Sequence, residues 1–175
     1  ALIFRLLSLF SSRVDTEKRR RAILSFPDLS RYAYQLLFRD DGTLTPFATE
    51  LRQNFDYVYI DEYQDVNEVQ HRIFEALAPP RGRFMVGDVK QSIYGFRGAQ
   101  PEIFAALRAA FPPHAACGEG AAASLSLSQN FRSAPPILSF VNAVFGRHMQ
   151  GGLGEAIGYD QEADALVPGI PREGA

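Results

Sequence analysis

The feature that most constrains this chain is a change of hydrophobic period at residue 57. Tyr57-Val58-Tyr59-Ile60 is a short, continuous, β-favouring run, the pattern expected of a strand buried on both faces. It stops abruptly at Asp61-Glu62-Tyr63-Gln64-Asp65. A helical pattern follows, with Val69, Ile73, Phe74 and Leu77 on one side, and Pro79-Pro80 ends it. Phe84-Met85-Val86 is a second apolar run, leading into Gly87-Asp88. Strand, helix and strand at this spacing make a βαβ unit, hence a parallel pair joined by a right-handed crossover. The expected class is α/β, a parallel sheet with flanking helices.

The flanks extend that reading. Residues 1 to about 53 read as a helical segment. In it Leu29, Tyr32, Ala33, Leu36 and Leu37 recur at helical spacing and form one apolar face. Pro27 suits a first turn, Asp40-Asp41-Gly42 a stop, and Thr45-Pro46 a cap and a new start. The apolar opening, Ala1 to Phe10, reads as a helix packed in the core. Pro101 opens a further helix with Ile103, Phe104 and Leu107 facing inward. The Pro-, Gly- and Ala-rich stretch from Pro112 to Ala123 reads as a surface connection and divides the chain into 54–113 and 114–175. Beyond it, Leu125 and Leu127 alternate with serines as in a half-exposed strand. Ser133, or the turn around it, is placed to cap a helix with Pro135 and Pro136 in its first turn. Ile137, Leu138, Val141, Val144 and Phe145 make that helix's expected buried side. From Gly151 the tail reads as loop, with a short strand near Leu166.

Composition narrows the setting. At 46% hydrophobic and 22% charged, 175 residues suffice for one domain or parts of two without disulfides. Cys117 is the single cysteine and has no ligand spacing around it, which points to a reducing, cytoplasmic compartment. His71, His114 and His148 are scattered. No run is long enough to span a bilayer, and Lys18-Arg19-Arg20-Arg21 follows the apolar opening, whereas a signal peptide carries its charge first. A net charge of −2 gives no global footprint for nucleic acid, so any contact with it must be local. The chain starts without methionine and reads as a piece of a longer one.

In α/β sheets, ligands bind beyond the carboxyl ends of the strands. Two polar clusters fall there: Asp61-Glu62 after the first strand, and Gly87-Asp88 with Gln91 after the second. A carboxylate at that edge can hold Mg²⁺ while its neighbour polarises an attacking water. Taken singly, either cluster is equally an acidic helix cap or a turn.

The surrounding strings are more specific. Asp61-Glu62-Tyr63-Gln64-Asp65 resembles the Walker B motif of the UvrD/Rep and AddA/RecB helicase families. The run from Gly87 through Val89-Lys90-Gln91-Ser92-Ile93-Tyr94-Gly95-Phe96-Arg97-Gly98 to Ala99 resembles their motif III. Gln129-Asn130-Phe131-Arg132-Ser133 resembles the start of motif IV, and all three occur in the family's order. Val89-Lys90 before Gln91, Pro101-Glu102-Ile103-Phe104 and the stretch Tyr159 to Gly169 are more like AddA than UvrD.

The resemblance implies part of a RecA-like P-loop NTPase motor, with 54–113 in its first unit and 114–175 beginning its second. It implies ATP and Mg²⁺ as cofactors, with Asp61 on the metal, Glu62 activating water and Gln91 sensing the γ-phosphate. Arg132 would be an arginine finger. Phe131 and Asp88 fall at the nucleotide, and Gln64 and Asp65 couple the sites. Tyr94, Phe96 and Arg97 match a face for single-stranded DNA, where rings stack on any base without reading sequence. Ordinary core packing is the alternative for Tyr94 and Phe96. Phe96 replaces a tryptophan common in UvrD relatives, and Gly95 a frequent arginine.

The implied activity is 3′-to-5′ translocation and unwinding at duplex DNA ends in break repair, alongside an AddB-like partner subunit. These 175 residues contain no Gly-x-x-x-x-Gly-Lys-Ser/Thr, and Lys90 lacks the glycine-rich loop to stand in for its lysine. By itself the piece is expected not to hydrolyse ATP. Two alternatives remain open here: a UvrD-like repair helicase, and a non-catalytic DNA-binding scaffold of the same fold.

Overall fold

The computed structural model describes residues 2–152, 154 and 159–169. Helices α1 (Leu2–Arg21), α2 (Phe26–Leu37) and α3 (Pro46–Arg52) precede strand β1 (Val58–Ile60). Helix α4 (Glu68–Leu77), strand β2 (Arg83–Met85) and helix α5 (Pro101–Ala110) follow. After a long connection come β3 (Gln129–Asn130), α6 (Pro135–His148), a helical turn at Gln161–Asp164 and β4 (Val167–Pro168). The result is a mixed helix–strand fold with two small parallel sheets, β1–β2 and β3–β4. The parallel pairing expected around α4 is present, with Val58 opposite Arg83 and Ile60 opposite Met85.

Local chemistry explains the element ends. The Thr45 hydroxyl accepts the Ala48 N–H and Pro46 fills the first turn of α3, as the sequence suggests. Asn67 and Gln70 form a reciprocal capping box at the start of α4. At α6 the expected cap by Ser133 is not made. The N-cap is Ala134, and the Asn130 carboxamide oxygen instead accepts the N–H groups of Arg132 and Ser133.

Two clusters form the core. One gathers Leu37, Phe38, Ala48 and Ala76 where α2, α3 and α4 meet. The other gathers Ile60, Tyr63 and Val66, with Phe74, Ile103, Phe104 and Leu107 packed on them, so α5 faces inward as expected.

Several expected faces are turned. The apolar opening is not core: α1 has no buried residue, and Leu2, Ile3, Phe4, Leu6, Leu7, Leu9 and Phe10 are all exposed. Of the apolar face expected on α2, Leu37 is buried against α3 and α4 with Tyr34 partly buried beside it, whereas Leu29, Tyr32 and Leu36 are exposed. Strand β1 is covered on one face only. Ile60 is buried while Tyr59 is 71% exposed and leans on Phe84 in β2. On α4, Val69 is likewise exposed.

In the second half, Leu125 and Leu127 are exposed and lie before the strand, which is confined to Gln129–Asn130. Ser124 instead bridges back to Pro113. Helix α6 buries Leu138 but exposes Ile137 and Val144, since only one narrow side of it meets β4. The short strand near Leu166 is present as β4. Of the loop expected from Gly151 onward, residues 153, 155–158 and 170–175 lie outside the described residues.

Candidate nucleotide site and its relatives

The two polar clusters meet at the carboxyl ends of β1 and β2, where the parallel register brings them side by side. The chain turns sharply after Ile60. Glu62 adopts a left-handed backbone, φ 50° and ψ 44°, which a non-glycine residue adopts at some cost. Asp61 stabilises the bend by accepting the Glu62 N–H at 2.9 Å through Oδ1. The carboxylates of Asp61 and Glu62 are both exposed beyond the strand end.

Gln64 is the hub of the cluster, at 1% exposure. Its Nε2 donates to Glu62 Oε2 at 2.6 Å, and its Oε1 accepts the Asp88 N–H at 2.9 Å. Its backbone carbonyl accepts the Ser92 hydroxyl at 3.3 Å. One carboxamide therefore fixes the Glu62 side chain and the turn after β2 together.

Asp88 carries the network onward. Oδ1 pairs with the Lys90 ammonium at 2.8 Å and Oδ2 accepts the Gln91 amide at 3.0 Å. Burial pushes the Asp88 carboxyl up, but those two hydrogen bonds outweigh it and hold the group below the usual carboxylate range. Behind the cluster, the Tyr63 hydroxyl and His71 Nδ1 share a 2.7 Å hydrogen bond, and burial raises the phenol. Asp65 Oδ1 is buried and makes no hydrogen bond among the described residues.

The remaining sequence-derived candidates fall in two further places. Tyr94, Phe96 and Arg97 form one surface group: the rings lie 6.0 Å apart and the guanidinium sits 5.4 and 5.5 Å from their centroids. Phe96 is 79% exposed, so core packing does not account for it. Phe131 and Arg132 lie at the end of β3, both exposed. A Cβ on Gly169 would fall 2.2 Å from the Phe131 ring, so that glycine lets the ring lie on the β4 end. Among the described residues, no hydrogen bond or ion pair joins Arg132 to Glu62 or Gln91.

Sequence reading placed Gly87 in the second cluster but not its reason: a Cβ there would lie 2.6 Å from Gln64 Oε1 and 3.1 Å from the Tyr63 nitrogen. It gave no role to Ser92 or Lys90, and the two-residue step from Asp88 to Lys90 is the only local signal for that ion pair.

Asp61 is the residue suited to a hard cation. Its Oδ2 makes no hydrogen bond among the described residues. No group of three acidic, histidine or cysteine side chains that could hold a metal occurs among those residues. That donor set fits Mg²⁺, which takes one or two carboxylates plus phosphate oxygens and water.

An acidic pair and a glutamine-linked second cluster at adjacent parallel strand ends define a class. Residues 5–112 match the UvrD/REP helicase N-terminal domain, and the chain belongs to that family. It is similar to the AddA ATP-dependent helicase/nuclease subunit of Staphylococcus carnosus, 43% identical over 90% of this chain and 13% of that protein. The protein of the same name from Desulfitobacterium hafniense (strain Y51) is 44% identical over 91% of this chain and 12% of its own length. That of Natranaerobius thermophilus is 40% identical over 92% and 12%. The chain thus spans about an eighth of the curated relatives it matches. No helix among the described residues is long and apolar enough to cross a membrane.

Proposed function

We propose that these residues form the water-activating half of the ATP site in a RecA-like helicase motor of the AddA type. The motor would use ATP to move along single-stranded DNA and open duplex ends. The observation that carries this reading is the linked set Glu62–Gln64–Asp88–Gln91 at the two strand ends. A carboxylate aimed from a strained turn, with a glutamine on the next loop locked to it through two residues, suits a site that must position water and read a phosphate.

In this reading Glu62 is the base that orients water, Asp61 holds Mg²⁺, and Gln91 with Asp88 faces the nucleotide. Magnesium, when bound, supplies charge neutralisation for the phosphates. Gln64 and Asp65 tie that site to the surface of Tyr94, Phe96 and Arg97, which stacks on single-stranded DNA. In this reading the unit boundary falls between residues 113 and 114, so Phe131 and Arg132 approach the nucleotide from the second unit when the two close. The relatives are named as one component of a helicase/nuclease, which extends the proposal to an AddB-like partner in a cytoplasmic break-repair enzyme.

The test is Glu62→Gln in the full-length protein. ATP binding persists and turnover falls by at least about 100-fold, the lower range for removal of a general base. Hydrolysis within a few-fold of the unmodified rate removes Glu62 from this role.

A further inference from the structure

The 111–128 connection separates the Glu62–Gln91 cluster from the half that carries β3, α6 and β4. Among the described residues, an ion pair and a cation–ring contact nevertheless span the gap. Arg108 on α5 grips Asp164, with Nη1 3.0 Å from Oδ1 and 3.2 Å from Oδ2. The Asp164 side chain is 10% exposed, and Oδ2 also accepts the Asp160 N–H at 2.8 Å. Lys90 makes the second contact. Its ammonium lies 2.8 Å from Asp88 Oδ1 and 5.9 Å from the centre of the Tyr159 ring.

Lys90 has a polar partner in its own half and a ring in the other, and its side chain is only 16% exposed. A charge so far withdrawn from water needs compensation on each side it faces. Asp88 supplies a carboxylate on one side and Tyr159 a negative ring face on the other. Asp88 in turn accepts the Gln91 amide, while its N–H is held by Gln64, whose amide holds Glu62. A displacement of Tyr159 therefore reaches Glu62 and Gln91 through the Lys90–ring contact and the hydrogen bonds that follow it.

We propose that Lys90 is a positioning residue. Held between Asp88 and the Tyr159 ring, it transmits the placement of the second half to Gln91 and Glu62, and the Arg108–Asp164 pair acts as the fixed pivot. The inference rests on the ATP-driven motor proposed above. When the second half is docked, Tyr159 keeps Lys90 on Asp88 and the cluster is ordered. When it withdraws, Lys90 rehydrates and Asp88 and Gln91 are freed.

The experiment measures ATP hydrolysis by the full-length protein with and without oligo-dT, for Tyr159→Phe, Tyr159→Leu, Lys90→Met and the Lys90→Met/Tyr159→Leu double variant. Tyr159→Phe keeps the ring face and is expected to match the unmodified protein in both conditions. Tyr159→Leu is expected to keep basal hydrolysis but to lose about 3-fold or more of the DNA stimulation, within the range of a partly desolvated cation–ring contact. The double variant is expected to lose no more stimulation than the worse single variant, since both remove one contact.

Full stimulation in Tyr159→Leu overturns the proposal, as do equal losses in the Phe and Leu variants or additive losses in the double variant. Basal and stimulated rates falling together in Tyr159→Leu, with a lowered melting temperature, assign Tyr159 to packing and overturn it as well. An unmodified protein without DNA-stimulated hydrolysis overturns the motor reading itself, and this inference with it.

Discussion

Replacing Gln64 by methionine isolates the hub of the candidate site, because methionine nearly matches its volume and makes neither hydrogen bond. The Asp88 N–H then loses its acceptor, a Gln64 side chain that is only 1% exposed. An orphaned buried donor costs about 1–3 kcal/mol. The lost bond to Glu62 adds little, since that carboxylate is exposed and water replaces the amide. The shape change itself costs under about 1.5 kcal/mol. The expected loss is therefore about 2–3 kcal/mol, a fall of roughly 1 M in a urea midpoint for a slope of about 2 kcal/mol/M.

The assay is equilibrium urea unfolding of the 175-residue chain followed by far-ultraviolet circular dichroism. A loss under about 0.5 kcal/mol, the level of an ordinary surface substitution, would refute the idea that Gln64 is sealed and singly satisfied. Gln64→Glu sharpens the test, because it sets a second carboxylate against Glu62. Like charges raise the carboxyl pKa, so that variant is weakest at neutral pH and recovers as pH falls through the raised value.

Other outcomes follow from the same contacts. Gly87→Ala should destabilise by about 1–3 kcal/mol in the same titration, since its Cβ meets Gln64, Phe104 and the Tyr63 backbone. Asp28 is held far below the usual carboxylate range, chiefly by the Lys18 hydrogen bond and then by Ser25. The stability it lends is present above about pH 4 and is lost as pH falls towards the folded-state value; Asp28→Asn should flatten the acid limb of a melting-temperature profile. Phe96→Ala should leave the melting temperature unchanged yet reduce DNA-stimulated hydrolysis more than basal hydrolysis, and equal losses would point to packing.

Much of this protein is written locally. The acidic turn after Ile60, the capped starts at Thr45 and Asn67, the prolines opening α5 and α6, and the strand–helix–strand order around α4 all depend on neighbours within a few residues. So does the grouping of Tyr94, Phe96 and Arg97, which occupy a single tight turn. The motifs that place the chain in its helicase family are likewise contiguous strings, readable without any fold.

What the sequence could not express is which part of an apolar face meets a partner. Helix α2 carries one face through Leu29, Tyr32, Ala33, Leu36 and Leu37, and only the approach of α3 and α4 selects its Leu37 edge, with Tyr34 beside it. Leu2 to Phe10 is apolar except for Arg5 and Ser8, so its pattern names a broad apolar face, yet that face meets no partner among the described residues. The links between Gln64 and Asp88, Ser92 and Gln64, and Arg108 and Asp164 join residues 24, 28 and 56 positions apart. Spacing and local chemistry marked most of the elements, and the contiguous motifs, through their family resemblance, marked the residues with chemical capacity, because helices, turns and strand periods are set by short-range forces. Tertiary structure alone decided which of those residues touch, because a side-chain contact depends on the packing of elements that the chain order leaves free.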